Sequence, residues 1–540
     1  MRGLTMAYPL TIPAILRRTE ALFPRRAIVS RNADGSLDRA TYADVLDRAR
    51  RLAGALTALG IHPGDRVATL CWNHSRHLET YFAVPCTGAV LHTLNLRLHH
   101  DELAHIATHA GDRLLVVDAE LLPLLERFRD RAPFEQIIVI GDGAQPAGML
   151  DYETLLADSA GIDITNVDLD ERSAAAMCYT SGTTGRAKGV VYSHRCLVLH
   201  AMACAMADGF ALGEGDTVLE AVPMFHANAW GLPYTAAFVG AAQILPGPWP
   251  DAHALLDLAQ SEGVTFSAGV PTLWLGVLQA LDAEPDRWDL SRWRMLVIGG
   301  AAASASLMRG LERHALRPVT SWGMTELAPV GTLGRLTTEA AALSETERDV
   351  IRLKPGLPGA LLELRVRNDD GAIPCDGVTM GELETRGAYV ASAYHGGEEP
   401  DCFTVDGWFR TGDVASIDPL GYLEIRDRSK DLIKSGGEWI SSVALEGALM
   451  DHPGVAEAAV VAVPHEKWLE RPVAFVVPRD GCTPGTEELR AHLATRFPGW
   501  WLPDEIVFAT GIPRTSTGKF LKSALRQRLG ARGHGDPVAP

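Results

Sequence analysis

Residues 177–189 read MCYTSGTTGRAKG, an apolar run that passes into a loop rich in glycine and hydroxyl side chains. The last ten of these residues contain three glycines, four hydroxyl groups and a lysine. Glycine lets a backbone approach a ligand closely, and amides, hydroxyls and a cation all complement phosphate oxygens. The segment therefore predicts a buried strand followed by a phosphate-binding loop.

Two common nucleotide-binding motifs do not fit this loop. Gly182 is followed five positions later by Ala187, and the segment contains no Gly-Lys-Ser or Gly-Lys-Thr, so it is not a Walker A loop. It is not a G-x-G-x-x-G motif either, which disfavours a dinucleotide. For an isolated stretch of this composition, a flexible surface loop is the alternative interpretation.

Outward from the loop, short apolar runs alternate with amphipathic stretches, and this alternation predicts parallel α/β layers. Strands are predicted at residues 66–73, 113–120, 136–143, 174–180, 217–225, 265–271 and 294–300, and helices at residues 75–85 and 100–110. After residue 355 the segments are short, alternating and separated by turns, as in antiparallel β-structure. A small α/β unit follows Asp427, with a helix at about residues 487–496.

Length and charge support two domains. A chain of 540 residues is too long for one ordinary core. The net charge of −17 disfavours a nucleic-acid binder that works by bulk electrostatics. Residues 1–427 carry 36 basic and 54 acidic residues, whereas residues 428–540 carry 14 and 13. Because the antiparallel segments end at residues 427–430 and a small α/β unit follows, we place the domain boundary near Asp427, between 1–427 and 428–540.

Cysteine usage and the N-terminal segment bear on the compartment. Eight cysteines are scattered without a C-x-x-C pair or clustered histidines, which disfavours a zinc site or a disulfide framework. The first 26 residues are broken by prolines 9 and 13 and make a poor signal peptide. No window approaches 18 uncharged apolar residues, so no membrane span is expected. We expect a cytoplasmic protein.

Six segments resemble, in the right order, the signatures of the adenylate-forming superfamily, and within it acyl-CoA synthetases of the medium- and long-chain fatty acyl-CoA ligase type. They are YTSGTTGRAKGVVYSH (179–194, phosphate), VPMFHANAWGLPY (222–234, acyl pocket), SWGMTELAP (321–329, adenine and magnesium), GWFRTGD (407–413, ribose), DRSKDLIKSGGEWIS (427–441, hinge and CoA-side loop) and PRTSTGKFLK (513–522, C-terminal lysine). Ala187 stands where the family usually has proline.

The resemblance implies an α/β fold with a large N-terminal domain of two α/β subdomains plus a β-barrel, and a small, mobile α+β C-terminal domain. It also implies a two-step reaction. A carboxylic acid attacks the α-phosphate of ATP to give an acyl-adenylate and pyrophosphate, and coenzyme A then displaces AMP. ATP, Mg²⁺ and coenzyme A are the implied cofactors, the acid is medium- or long-chain or otherwise bulky and apolar, and a homodimer is expected.

The resemblance assigns roles around the nucleotide. The predicted phosphate-binding residues are Thr180, Ser181, Gly182, Thr183, Thr184, Gly185 and Lys188, and the predicted Mg²⁺ ligands are Thr184 and Glu326. Thr325 would contact the α-phosphate and Trp322 would stack on adenine. Asp413 would accept hydrogen bonds from the ribose hydroxyls, assisted by Arg428, because an ionised carboxylate is acceptor-only.

Further assignments concern the mobile domain and the acyl group. Lys519 would bridge the attacking carboxylate and the α-phosphate, and loss of such a contact typically costs about 10²–10³ in rate. A rotation about Asp427 would then bring Lys434 and Trp439 to the nucleotide side. His226 and Trp230 would gate the acyl pocket. Small residues would leave it room and place backbone against adenine; they are Gly231, Gly299 and Gly300.

Three other functions stay open at this stage. Ala187 and the unusual AAASAS at residues 301–306 would fit a relative that keeps one half-reaction, the thioesterification of a pre-formed acyl-adenylate. An adenylating enzyme that loads a carrier protein shares the same motifs. A nucleotide-binding protein without catalysis is the third, disfavoured by the presence of Lys519, Glu326 and Asp413.

Overall fold

The computed structural model describes residues 1–540 except Arg2, residues 143–145 and 181–185, Trp249, residues 369–370, Gly437, residues 515–519 and residues 531–540. The helices within the described residues are α1 (Ile12–Leu22), α2 (Tyr42–Ala58), α3 (Ser75–Cys86), α4 (His100–Ala110), α5 (Leu122–Glu126), α6 (Tyr152–Asp158), α7 (His194–Ala205), α8 (Leu232–Val239), α9 (Ala252–Ser261), α10 (Pro271–Ala283), α11 (Ala305–Arg313), α12 (Thr338–Ala341), α13 (Glu345–Arg352), α14 (Ser442–Met450), α15 (Thr486–Ala494) and α16 (Lys522–Gly530).

The strands within the same residues are β1 (Ala27–Arg31), β2 (Leu37–Thr41), β3 (Arg66–Leu70), β4 (Val90–Thr93), β5 (Asp112–Asp118), β6 (Gln136–Ile140), β7 (Leu150–Asp151), β8 (Ala174–Tyr179), β9 (Gly189–Ser193), β10 (Thr217–Leu219), β11 (Ala242–Leu245), β12 (Phe266–Gly269), β13 (Met295–Ile298), β14 (Pro318–Gly323), β15 (Val330–Leu333), β16 (Leu357–Pro358), β17 (Leu362–Asn368), β18 (Gly371–Ala372), β19 (Gly381–Gly387), β20 (Phe409–Ile417), β21 (Leu423–Arg428), β22 (Ile433–Ser435), β23 (Glu438–Ile440), β24 (Val455–His465), β25 (Leu469–Pro478) and β26 (Glu505–Phe508).

Two large, mostly parallel sheets form the centre of the N-terminal part. One has seven strands in the order β7-β6-β5-β3-β4-β8-β9, in which β9 runs antiparallel to β8. The other has nine strands in the order β16-β15-β14-β13-β12-β10-β11-β1-β2, with β2, β15 and β16 antiparallel to their neighbours. The predicted parallel α/β architecture is confirmed.

Apolar side chains arrange these sheets in layers. The largest core joins one face of each sheet to helices α1, α2, α3, α7 and α8, so a layer of helices lies between the two sheets. Helices α9, α10 and α11 cover the other face of the nine-stranded sheet, and α4 and α5 cover that of the seven-stranded sheet. In the described part of the chain, no helix combines the length and apolar character needed to cross a membrane.

Two smaller sheets follow. The segment that the resemblance predicts as a β-barrel is a five-stranded antiparallel sheet in the order β18-β17-β19-β20-β21. A last sheet, β23-β22-β25-β24 with β26 beside β25, has its own two apolar clusters with α14, α15 and α16. The predicted fold class, with a large N-terminal and a small C-terminal domain, is confirmed.

Asp427 lies at the passage from the antiparallel sheet to the last sheet. Its carboxylate is buried, and one oxygen accepts hydrogen bonds from the backbone N–H and the hydroxyl of Ser442, both at 2.6 Å. Lys522 donates to the same Ser442 hydroxyl at 2.6 Å and pairs with Glu446 at 2.7 Å. Burial raises the pKa of Asp427, and Lys522 opposes that rise. A buried polar cluster therefore fastens the first C-terminal helix to the end of β21.

This cluster predicts the effect of Asp427→Asn. The amide would place an NH₂ group against hydrogen-bond donors, which costs about 1–3 kcal/mol for a buried group. We expect a lower free energy of unfolding for the C-terminal part, and faster trypsin cleavage after Arg428 and Lys430, measured by urea denaturation and timed proteolysis. The exposed Asp480→Asn is the control, and equal behaviour of both variants would contradict the prediction.

Candidate active site

The neck of the predicted phosphate loop is formed by the antiparallel hairpin of β8 and β9. The backbone N–H of Thr180 donates to the carbonyl of Lys188 at 2.9 Å, and the N–H of Lys188 donates to the Thr180 hydroxyl at 3.1 Å. These two bonds hold the ends of the loop together. The remaining predicted loop residues lie outside the described part of the chain; they are Ser181, Gly182, Thr183, Thr184 and Gly185.

The loop lysine is connected to the predicted magnesium ligand. The ammonium of Lys188 lies 3.3 Å from a carboxylate oxygen of Glu399 and 5.1 Å from the ring centroid of Tyr394. The Tyr394 hydroxyl donates to Glu326 Oε1 at 2.6 Å. Tyr394 and Glu399 were not identified from the sequence, because they follow no motif and lie some 200 residues beyond the loop.

Glu326 is a buried acid with several stabilising neighbours. Burial raises the pKa of its carboxyl, whereas the hydrogen bond from Tyr394 and the charges of Arg428 and Lys188 lower it. Its backbone is fixed too, since its carbonyl accepts from the N–H of Ala391 at 2.8 Å. The charges around the carboxylate favour its ionised form, the form that would bind a cation.

Thr325, the residue before Glu326, is also buried. Its backbone carbonyl accepts a hydrogen bond of 2.5 Å from the hydroxyl of Tyr192 on β9. Strand β9 follows the predicted phosphate loop in the chain, and this bond joins β9 to the Thr325–Leu327 turn. The predicted α-phosphate contact therefore lies beside the strand that follows the predicted loop.

The predicted ribose residues come together around one carboxylate. Asp413 on β20 and Arg428 on β21 are paired across the antiparallel sheet, and Arg428 Nε lies 2.7 Å from Asp413 Oδ1. The indole N–H of Trp322 donates to Asp413 Oδ2 at 2.9 Å. Asp413 raises the pKa of Arg428. Each oxygen of Asp413 keeps a second lone pair, which the predicted hydrogen bonds from the ribose hydroxyls would use.

The predicted acyl-pocket motif has an unusual backbone. After His226 the chain enters a tight turn in which residues 227–230 have φ of 37°, 40°, 59° and 55°, the left-handed region. Such a run is costly for residues with side chains, and its last residue is Trp230, whose indole it orients. Trp230 is buried, and a Cβ added at Gly299 would lie 2.8 Å from its ring. Trp230 therefore packs directly on the backbone of Gly299.

Steric constraints explain why two further predicted site residues are glycines. Gly231 has φ of +71°, and a Cβ there would lie 2.6 Å from Nδ1 of the buried His200. Gly300 has φ of +82° at the end of β13, where side chains are strained. Only glycine therefore fits at both positions without rearrangement.

The predicted site residues of the C-terminal part make no described contact with the site residues of the N-terminal part. Lys434 and Trp439 face each other across the β22–β23 hairpin, both are exposed, and the N–H of Lys434 donates to Glu470. Their described contacts stay within the C-terminal domain. Lys519 lies outside the described residues.

The chain belongs to the AMP-binding enzyme family. The family's main model, AMP-binding enzyme, matches residues 16–395, and its C-terminal domain model matches residues 444–519. A long-chain-fatty-acid–CoA ligase of Thermus thermophilus is 52% identical over 517 residues, which cover 95% of this chain and 94% of the relative. A medium-chain-fatty-acid–CoA ligase of Ectopseudomonas oleovorans is 40% identical over 539 residues, 98% of each chain.

Solved structures agree on the fold. The ATP-bound MatB of Rhodopseudomonas palustris superimposes with a TM-score of 0.82 at 26% identity, covering 96% of this chain and 99% of that one. The anthranilate CoA ligase AuaEII, in complex with anthranoyl-AMP, gives 0.85 at 25% identity and covers 98% and 100%. The predicted superfamily and enzyme class, an AMP-forming acid–thiol ligase with ATP and coenzyme A as substrates, are confirmed.

Tyr394→Phe tests the coupling of the loop lysine and Glu326. Without the hydroxyl, Glu326 loses a hydrogen bond that favours its ionised form, so its pKa rises further. We expect the acid limb of the pH–rate profile of adenylation to move to higher pH, measured by pyrophosphate release. Tyr389→Phe is the matched control, because that buried hydroxyl donates to the carbonyl of Ala360 instead. An unshifted acid limb would contradict the role of Tyr394.

Glu399→Gln tests competition for Lys188. A half-exposed ion pair of this kind is worth about 0–1 kcal/mol, so its removal should lower KM for ATP by up to about fivefold. The measurement is initial-rate kinetics at varied ATP, with the exposed Glu214→Gln as control. A higher KM for ATP in Glu399→Gln would show that Glu399 assists the nucleotide.

Proposed function

We propose that this protein is an ATP-dependent acyl-CoA ligase for a medium- or long-chain, or otherwise bulky apolar, carboxylic acid. The observation that carries the choice of acid is the contact between Trp230 and Gly299. The buried Trp230 indole packs against the backbone of a glycine, so a change of its rotamer can open an apolar channel. Such a channel suits an alkyl or aryl group. The names of the relatives from Thermus and Ectopseudomonas support the same class of acid.

In the first half-reaction, the described residues bind and orient ATP. Lys188 exchanges Glu399 for phosphate oxygens, Asp413 accepts from the ribose, and Trp322 borders adenine. The buried carboxylate of Glu326 supplies the kind of oxygen ligand that Mg²⁺ prefers, so Glu326 and the loop residue Thr184 would hold the ion, which would neutralise phosphate charge. Phosphoryl transfer then depends on in-line positioning and charge neutralisation, with Lys519 beside the attacking carboxylate.

In the second half-reaction, the C-terminal domain turns a different surface towards the nucleotide. We place the domain boundary between Asp427 and Arg428 and the pivot in the short connection from β21 to β22. Rotation there withdraws Lys519 and presents Lys434 and Trp439 to the nucleotide, while His226 opens the path for the thiol. The exposure of Lys434 and Trp439 supports this exchange, since their side chains are available for a new contact.

The deciding experiment is a panel of carboxylic acids with ATP, Mg²⁺ and coenzyme A, assayed for pyrophosphate, AMP and the thioester. We expect all three products with apolar acids of medium or long chain. Absence of pyrophosphate with every acid would reject the adenylation step, and product formation with small polar acids alone would reject the acid class.

Two alternatives are separated in the same assay. An enzyme restricted to one half-reaction would form thioester from added acyl-adenylate but not from acid and ATP. An enzyme that loads a carrier protein would prefer a phosphopantetheinylated carrier over free coenzyme A in direct competition. We further propose a cytoplasmic homodimer, and sedimentation of the purified chain measures the dimer.

Gly299→Ala tests the acyl channel. The new methyl group would lie 2.8 Å from the Trp230 ring and push the indole into the channel. Overpacking of this kind costs about 1–3 kcal/mol, so we expect kcat/KM to fall about 5- to 160-fold for the longest acids, with KM for ATP unchanged. Gly276→Ala in α10 is the control, because its nearest neighbour is 4.0 Å away. An equal loss for short and long acids would contradict a channel at this point.

A further inference from the structure

A buried histidine to which no role has been assigned lies between two of the predicted site segments. His200 is on α7 and is almost fully buried. Its Nε2 accepts a hydrogen bond of 3.2 Å from the backbone N–H of Val330, the first residue of β15. The ring also lies against Gly231, since a Cβ there would be 2.6 Å from Nδ1. One imidazole therefore contacts both the predicted acyl-pocket segment and the strand that follows the Thr325–Leu327 turn.

The imidazole of His200 is held in one tautomer and one orientation. Because Nε2 accepts from Val330, the neutral ring carries its proton on Nδ1. Burial lowers the pKa of His200 to about 3, so the ring is uncharged at neutral pH. The ring of Tyr389 packs against it edge-on, with the centroids 5.4 Å apart, and the sulfur of Cys204 lies 3.6 Å from Nε2. His200 is therefore a fixed, uncharged spacer within the core.

On one side of the ring, Val330 is linked to the residues predicted to act at the α-phosphate. The carbonyl of Pro329, the residue before Val330, accepts a hydrogen bond of 3.0 Å from the N–H of Met324. This bond closes the turn that contains Thr325 and Glu326. Because protein interiors are close-packed, a shift of Val330 would move that turn as well.

On the other side of the ring, Gly231 directly follows the left-handed run that ends at Trp230. The placement of Gly231 therefore affects the Trp230 indole, which packs on Gly299. A Cβ on Gly231 would also lie 3.8 Å from the carbonyl oxygen of Ala328, so the two predicted segments are neighbours in space. His200 fills the space between them and keeps their backbones apart.

We propose that His200 is a positioning residue for adenylation, which sets the spacing between the acyl pocket at residues 230–231 and the α-phosphate turn at residues 325–326. The inference rests on the proposed function, because that function places the acyl group and the phosphate at these two segments. In-line attack requires the carboxylate and the phosphorus to meet at a defined distance, and a misplacement of about 1 Å can cost about 100-fold in rate. His200 acts through the backbones of Gly231 and Val330 and not by touching a reactant.

The test measures, by calorimetry, how the full-length protein binds AMP and two unreactive analogues of an acyl-adenylate, octanoyl- and palmitoyl-sulfamoyl adenosine. Each analogue occupies both segments at once, whereas AMP occupies the nucleotide side alone. His200→Leu keeps a similar volume but loses the acceptor, so we expect it to weaken the analogues about 10- to 100-fold and AMP by less than about twofold. His200→Gln can place its amide oxygen near the position of Nε2 and should recover most of the loss.

His77→Leu is the matched control. His77 is an equally buried histidine whose pKa is also lowered by burial, but its ring nitrogens lie 2.9 Å from the Thr69 hydroxyl and 3.0 Å from the Trp72 carbonyl, outside the predicted site. Near-ultraviolet circular dichroism checks the fold of each variant. If His200→Leu does not fold, Cys204→Leu takes its place with the same expected loss, because it keeps the imidazole but adds bulk against it.

Three results would overturn the role of His200: equal affinities of the wild-type protein and His200→Leu for the analogues, a parallel loss of AMP affinity, or the same loss in His77→Leu. An equal loss in His200→Gln and His200→Leu would overturn it too. Failure of the wild-type protein to bind either analogue would instead reject the proposed acid class, and this inference with it.

Discussion

The carboxylate of Asp413 joins the antiparallel sheet, through Arg428, to the distant Trp322 of the nine-stranded sheet. Trp322 lies near the end of β14 in the nine-stranded sheet, Asp413 lies on β20, and Arg428 is the last residue of β21. The carboxylate is almost fully buried, and Arg428 and the indole N–H of Trp322 each contact one of its oxygens. The contact that joins these elements is therefore made by the same residues that were predicted to bind the ribose.

Side chains of alternating charge lie between Asp413 and the lysine at the neck of the predicted phosphate loop. Arg428 acts on Glu326, Glu326 accepts from Tyr394, and Lys188 lies over the Tyr394 ring and beside Glu399. Under the proposed function, the triphosphate would replace the carboxylate of Glu399 at Lys188. Local pairs outweigh the overall charge here, because screening reduces the field of distant surface acids. This explains how a domain with an excess of acidic residues can still bind a polyanion.

Much of the fold was predictable because helices and strands leave a periodic pattern of apolar residues in the local sequence. The helix predicted at residues 100–110 coincides with α4, and the strand predicted at residues 174–180 coincides with β8. The strand predicted at residues 217–225 was too long, since β10 ends at Leu219. Beyond Leu219, the side-chain amide of Asn73 donates hydrogen bonds to the carbonyls of Glu220 and Val222. These carbonyls therefore bond to a side chain and not to a neighbouring strand, as the apolar pattern had suggested they would.

The site was predictable where motifs recur and not where single residues act across the fold. Asp413, Trp322 and Arg428 were named from their motifs, and the structure brings them together. Tyr394 and Glu399 carry no local signal, since their importance arises only from contact with Glu326 and Lys188. The left-handed run at residues 227–230 was not predicted either, because residues of these types do not require a positive φ.

The position of β1 has a consequence for synthesis of the chain. Ile28 pairs with Gln243, so this strand cannot find its neighbour β11 until more than two hundred further residues have been made. At about 5–20 residues per second, the first strand waits roughly 10–40 s on the ribosome. Its buried residues Ile28 and Val29 remain exposed for that time. We expect the nascent chain to depend on chaperones until the nine-stranded sheet can close.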